Sequence, residues 1–250
     1  MKIAVVTIGC GIIAYLFKEE LFTVILAPKQ DDFITYRIFH LIWNRLSLPE
    51  VNSGIFSVKL INTGLAEQFI IHVKTALYVG LLCASPYILY LLFRFVSPAL
   101  YTKEKKYALR MVGGGYAMFI TGAALNYLII FPLTFRFLGT YQVSIEVENM
   151  ISLHSYMDTL LMMNLMIGIV FEIPILCWLL ALSGFISAPF MRPYRRHATI
   201  TILIIAAIIT PTSDVFTLSL VAMPMFLLYE LSILLVKRTV SKKIRTNNNN

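Results

Sequence analysis

From Tyr156 to Leu182 the chain reads YMDTLLMMNLMIGIVFEIPILCWLLAL, with two carboxylates, Asp158 near its start and Glu172 beyond its middle. An apolar run of about 20 residues crosses the ~30 Å hydrocarbon layer as a helix. In lipid a helix satisfies its own backbone, which an irregular chain cannot do. This stretch decides the fold: its solvent is a bilayer, and the rest of the chain repeats the pattern on both sides.

Toward the N-terminus the apolar runs are 107–131, which is expected to end before Pro132, then 69–96, which holds Pro86, and 3–17. Toward the C-terminus they are 198–210, closed by Pro211, and 215–236. The expected fold class is therefore all-α: a polytopic membrane protein of six transmembrane helices, forming one integral membrane domain over 1–250. Residues 18–68 form an extracytoplasmic cap loop, expected to be packed with short helices. Residues 237–250 form a cytoplasmic tail whose low-complexity end, Thr246–Asn250, is expected to lack fixed structure. The run 198–210 would rise only ~20 Å as a helix, so the final hairpin is short for a membrane and should thin it locally.

Composition agrees with this reading. Hydrophobic residues are 58% of the chain, charged residues 14%, and mean hydropathy is +0.78. A soluble domain would carry roughly 25% charged residues. The net charge of +8 is read as membrane topology rather than nucleic-acid binding. The connection 97–110 sums to +3, from Lys103, Lys105, Lys106 and Arg110 against Glu104. The connection 183–197 is also +3, from Arg192, Arg195 and Arg196, and the tail from Lys237 is +5. The intervening connections are acidic: 18–68 has five bases against six acids, and 134–159 has Arg136 against Glu146, Glu148 and Asp158. Basic connections lie on the cytoplasmic side, which puts both termini there.

Catalytic and metal chemistry find no footing. Cys10, Cys83 and Cys177 are far apart in apolar runs, and the four histidines are scattered. No HExxH, GxSxG, phosphate-binding loop or dinucleotide fingerprint is present. The expectation is a protein that is not an enzyme and takes no cofactor or metal.

The remaining polar residues need individual reasons. Glu172 lies deep in its span beside Pro174, at a cost of ~2.5–3.5 kcal/mol on insertion scales, so it should meet a cavity or partner or be protonated. Pro174 should bend the helix by leaving the Val170 carbonyl without a donor. Glu104 is the one acid in a basic inner connection. Asp214 or Ser213 is positioned to cap the last span. Lys74 should snorkel to the outer interface, and Glu230 should pair with the basic tail. The Gly113-Gly114-Gly115 triplet reads most simply as a close packing face.

Several stretches together resemble TatC, the multispanning subunit of the twin-arginine translocase. They are Ala27-Pro28, Ser85-Pro86, and Phe95-Val96-Ser97-Pro98-Ala99-Leu100-Tyr101 with Glu104-Lys105-Lys106. Gly122 with Asn126-Tyr127 and Phe131-Pro132, then Gly168 with Phe171-Glu172-Ile173-Pro174, follow in order. Thr210-Pro211 before Asp214, and Pro224 with Tyr229-Glu230, complete the set. The resemblance implies a bent, glove-like arrangement of the six helices in a bacterial inner membrane. It implies a receptor and scaffold that binds twin-arginine signal peptides of folded cargo, recruits TatA- and TatB-type single-span partners, uses the protonmotive force, and assembles as a homo-oligomer within the complex. By the same resemblance Glu104 contacts the arginines, with Phe95, Pro98 and Leu100 shaping its loop. Glu172 is the intramembrane polar point, and Thr210 and Thr217 lie where a partner helix docks. The family opens with a cytoplasmic HLxELRxR-like segment that is expected to be missing here, since Met1 falls at or inside the first span. Its TPPD turn is one residue longer here, and a usual glutamine is Leu218. The alternative reading is a proton-coupled small-solute carrier using Glu172.

Overall fold

The structure, a computed structural model, describes residues 2–30, 32–38, 59–96, 108–141, 144, 149–212 and 214–248. It is helical apart from one two-stranded pair. Helices α1 (Lys2–Leu16) and α2 (Lys18–Leu26) lead into a 3-10 turn at Ala27–Lys29 and a short helical stretch, α3, at 34–38. Strand β1 (Leu60–Ile61) precedes α4 (Glu67–Val96). Then come α5 (Ala108–Leu125), a π-helical segment at Asn126–Ile130 and α6 (Phe131–Thr140). Strand β2 (Ile151–Ser152) opens α7 (Leu153–Val170), which is followed by α8 (Ile173–Leu182) and α9 (Ala188–Met191). The chain ends in α10 (Arg195–Ile209) and α11 (Val215–Asn248).

Among the described residues, four helical segments are long and apolar enough to cross a membrane: Glu67–Leu92, Val112–Thr140, Leu153–Leu182 and Val215–Thr239. Lys2–Leu16 is apolar but shorter. Their apolar side chains, such as Ile8, Ile129, Ile169 and Leu227, point outward, as lipid contact requires.

Four findings depart from the sequence expectations. Pro132 does not end its helix. The wider turns of the π segment precede it, and the proline occupies the first turn of α6, where its missing N–H costs nothing. Strands β1 and β2 pair in parallel, Leu60 with Ile151 and Ile61 with Ser152, so the all-α expectation gains one small sheet. Such long-range pairing leaves no periodic trace in so short a segment. Helix α11 continues to Asn248, beyond the point where a structureless tail was expected. Extending an established helix costs far less than nucleating one. Finally, Glu230, placed in sequence within reach of the basic tail, pairs with Arg195 at 2.8 Å.

The chain forms two compact units. The first contains residues 1–84 and 124–164. Its core is aromatic: Phe131, Phe135 and Tyr156 pack with centroids 5.0–6.0 Å apart. The cap is tied to this core through hydroxyl groups. Tyr36 donates to the carbonyls of Pro28 and Pro132, and Tyr156 donates to Ile25. Thr35 donates to the carbonyl of Leu128 in the π segment, and Tyr127 donates to that of Val24. Glycines let α1 approach α4: a Cβ on Gly80 would meet the Thr7 carbonyl oxygen at 2.5 Å. Glu67 accepts from the backbone N–H groups of Gly64 and His154, joining the β1 side to the start of α7. Lys74, expected only to snorkel, holds Asp158 at 3.0 Å.

The second unit contains residues 85–123 and 165–250. Here α8 and α10 pack on α11. Ala181, Met191, Ile233 and Val236 form a buried cluster, with Cys177, Ile186 and Tyr229 against it. Tyr229 also donates to the Met191 carbonyl, fixing α9.

Candidate functional site

Two of the groups singled out in sequence lie in the second unit, in separate constellations. The first surrounds Glu172. Helix α7 ends at Val170 and α8 begins at Ile173 with Pro174 in its first turn. Proline supplies no donor to the Val170 carbonyl, so the helix breaks as expected. The break is closed by tighter bonds, with the Glu172 N–H donating to Ile169 and its carbonyl accepting from Ile175 and Leu176, each at 3.0 Å.

The Glu172 side chain is 8% exposed, and its Oε1 has no hydrogen-bond partner among the described residues. Burying a polar atom without a partner costs free energy, so each such atom calls for a reason; Thr75, Asn126 and Thr134 carry others among the described residues. The carboxyl group lies against Gly115 of α5, where a Cβ would sit 3.0 Å from Oε2. To one side of this contact the helices interlock. Phe171 lies over Gly122, and Phe119 lies over Gly168. Gly115, Phe119 and Gly122 are spaced four and three residues apart, on one face of α5. The break therefore holds a lone acid between tightly meshed helices.

The second constellation is the turn between α10 and α11. Asp214 precedes the first residue of α11 and accepts the Thr217 N–H at 2.8 Å, an N-cap interaction. The Thr217 hydroxyl donates to Asp214 Oδ1 at 2.6 Å, and the Thr212 hydroxyl donates to the same oxygen. Partial burial pushes the Asp214 carboxyl up, but these hydrogen bonds outweigh it and hold the group below the usual carboxylate range. Thr217 is fully buried and its hydroxyl is engaged in the cap; Thr210 is 7% exposed and donates weakly to Ala207 at 3.5 Å. Both threonines therefore shape the turn from inside. The outward surface of the hairpin is apolar, with Ile200, Ile204, Ile208 and Met223 exposed.

Glu104, Pro98 and Leu100 lie outside the described residues, as does the Phe95 side chain. Sequence reasoning missed Gly115 as a contact of Glu172, because a run of three glycines does not reveal which member faces the acid. It also missed Glu67, whose role depends on partners at Thr63, Gly64 and His154.

Comparison with known proteins gives a consistent result. The family model described as Sec-independent protein translocase protein (TatC) matches residues 1–224. A Sec-independent protein translocase protein TatC of Blattabacterium sp. subsp. Periplaneta americana is 34% identical over 229 residues, covering 90% of this chain and 85% of the relative. The TatC protein of Koribacter versatilis is 39% identical over 175 residues, covering 70% of this chain and 64% of the relative. The match thus spans somewhat less than two thirds of that relative's length. The crystal structure of a twin arginine translocase receptor, TatC, in DDM superposes with a TM-score of 0.75 at 30% identity, covering 94% of each chain.

Proposed function

We infer that this chain, which belongs to the TatC family of Sec-independent protein translocase proteins, is the core receptor and scaffold of a twin-arginine translocase. Membership makes it a multi-pass membrane protein of a transport system rather than an enzyme. In this reading it binds the twin-arginine signal peptides of folded cargo and gathers single-span partners of the TatA and TatB type. It lies in a bacterial inner membrane as six helices in a bent, glove-like set, in a homo-oligomeric complex driven by the protonmotive force.

Elementary chemistry supports the peptide and partner contacts. The connection 97–110 is basic overall, which favours the cytoplasmic side, where signal peptides arrive. Within it Glu104 is the acid available to paired guanidinium groups, which bind carboxylates through two parallel hydrogen bonds. The resemblance to the family gives Phe95, Pro98 and Leu100 the part of shaping the loop beside it. Glu172 offers a polar point at depth to a helix or peptide carrying a complementary donor. At 15 residues α10 rises about 22 Å, short of a ~30 Å hydrocarbon layer, so the hairpin favours a thinned bilayer. Partner helices dock on its apolar outer surface, where Thr210 and Thr217 act by setting the turn.

The observation that carries the reading is the family match over 1–224. Photocrosslinking of a twin-arginine peptide to the full-length protein and to its Glu104→Ala and Glu104→Gln variants tests it. Both variants should lose the crosslink. Undiminished crosslinking in both would remove Glu104 from the peptide site.

A further inference from the structure

The three glycines of α5 differ in what they face. A Cβ on Gly113 would meet nothing within 4 Å, and one on Gly114 would make ordinary contact with Ile175 at 3.6 Å. A Cβ on Gly115 would meet both carboxyl oxygens of Glu172, at 3.0 and 3.5 Å, and Leu89 at 3.5 Å. Glycine within a helix is costly relative to alanine, so a glycine that remains there calls for a reason. At Gly113 the surroundings supply none. At Gly115 they do: the buried carboxyl group occupies the space a side chain would take.

We propose that Gly115 is the positioning residue for Glu172, forming a notch in α5 that holds the carboxyl group at a fixed place beside the helix break. The backbone of Glu172 is already held. Phe171 is seated on Gly122, where an added Cβ would lie 2.8 Å from the phenylalanine Cβ, an atom fixed to the backbone, and the ring edge of Phe119 rests on Gly168. What remains free is the end of the Glu172 side chain, and Gly115 determines where it rests. Side-chain bulk at 115 turns the carboxyl group out of the notch without moving the helices. The inference places Glu172 in the site proposed above, but its geometry stands independently of what that site binds.

The test reads how readily a lipid-soluble reagent reaches the carboxyl group. The full-length protein in detergent is treated with dicyclohexylcarbodiimide, and the adduct on Glu172 is quantified by peptide mass spectrometry, with Glu172→Gln as the blank. Gly115→Val should raise the labelling rate at Glu172 about fivefold, the change one displaced rotamer makes in a population. Gly115→Ala should raise it less, and Gly113→Val should leave it at the parent rate. Should the valine protein not purify as a monodisperse species, the Gly115→Ala rate decides. An unchanged or slower rate in the Gly115 variants, or an equal rise in Gly113→Val, overturns the proposal. Because the readout needs no signal peptide, the receptor reading can fail while this result stands, and the reverse.

Discussion

The ring of Phe171 rests on Gly122, so closely that a methyl group at 122 would lie 2.6 Å from Cγ and 2.8 Å from Cβ of the phenylalanine. The Cβ is fixed to the backbone at the helix break and cannot rotate aside, and the Cγ moves only if the packed ring changes rotamer. Gly122→Ala should therefore destabilise the protein by about 1–3 kcal/mol, the usual range for overpacking. Gly168→Ala should cost less, because the atoms it meets, Cε2, Cδ2 and Cζ of Phe119, lie at the ring's edge and can shift. Thermal unfolding in detergent checks both, with Gly113→Ala, whose added methyl meets nothing, as the control that loses no stability.

The turn between α10 and α11 predicts an acid-sensitive cap. Asp214 is held below the usual carboxylate range, so its stabilising contribution is complete above the unfolded value of ~3.9 and fades as pH falls through the folded value. Asp214→Ala should cost about 0.5–2 kcal/mol near neutral pH. The parent should lose part of this advantage below the ordinary carboxylate range, so the two melting curves should converge there. Melting temperatures measured across that range give the answer, and a constant difference would show that the cap does not titrate.

Tyr36 predicts how firmly the cap region is fastened. Its ring is 1% exposed, and its hydroxyl lies 3.2 Å from the Pro28 carbonyl and 3.0 Å from that of Pro132. Tyr36→Phe keeps the ring and leaves those oxygens without this donor, at a cost of about 1–3 kcal/mol. Limited proteolysis near Pro28 should accelerate in the variant while the helices beyond α4 stay protected.

The Arg195–Glu230 pair predicts a small effect. Both side chains are about half exposed, so the interaction is screened. Glu230→Gln should change stability by no more than about 1 kcal/mol. A larger loss would mean that the pair is shielded in the membrane-bound protein.

Much of this fold was legible in the residues themselves. Long apolar runs announce α4, α7 and α11, and the Pro174 ring predicts the break at Glu172. Asp214 ahead of Val215 reads as a cap because a short acceptor at that position satisfies an otherwise open N–H. Other features depend on residues distant in sequence. Pro132 looks like a terminator until the π segment before it is seen. The Leu60–Ile151 pairing and the Tyr36–Pro132 bond join segments some ninety residues apart, which no local pattern encodes. Glu172 stood out as a lone carboxylate at depth. Gly115, its contact, did not, since its neighbours Gly113 and Gly114 look identical until something is packed against them.

The most direct measurement is the affinity of the purified full-length protein for a twin-arginine signal peptide, compared with the same peptide carrying two lysines. Lysine keeps the charge but loses the paired hydrogen bonds to a carboxylate. The account predicts that the lysine peptide binds about tenfold or more weakly, the loss of one charge-assisted hydrogen bond or more. Equal binding of the two peptides would contradict it.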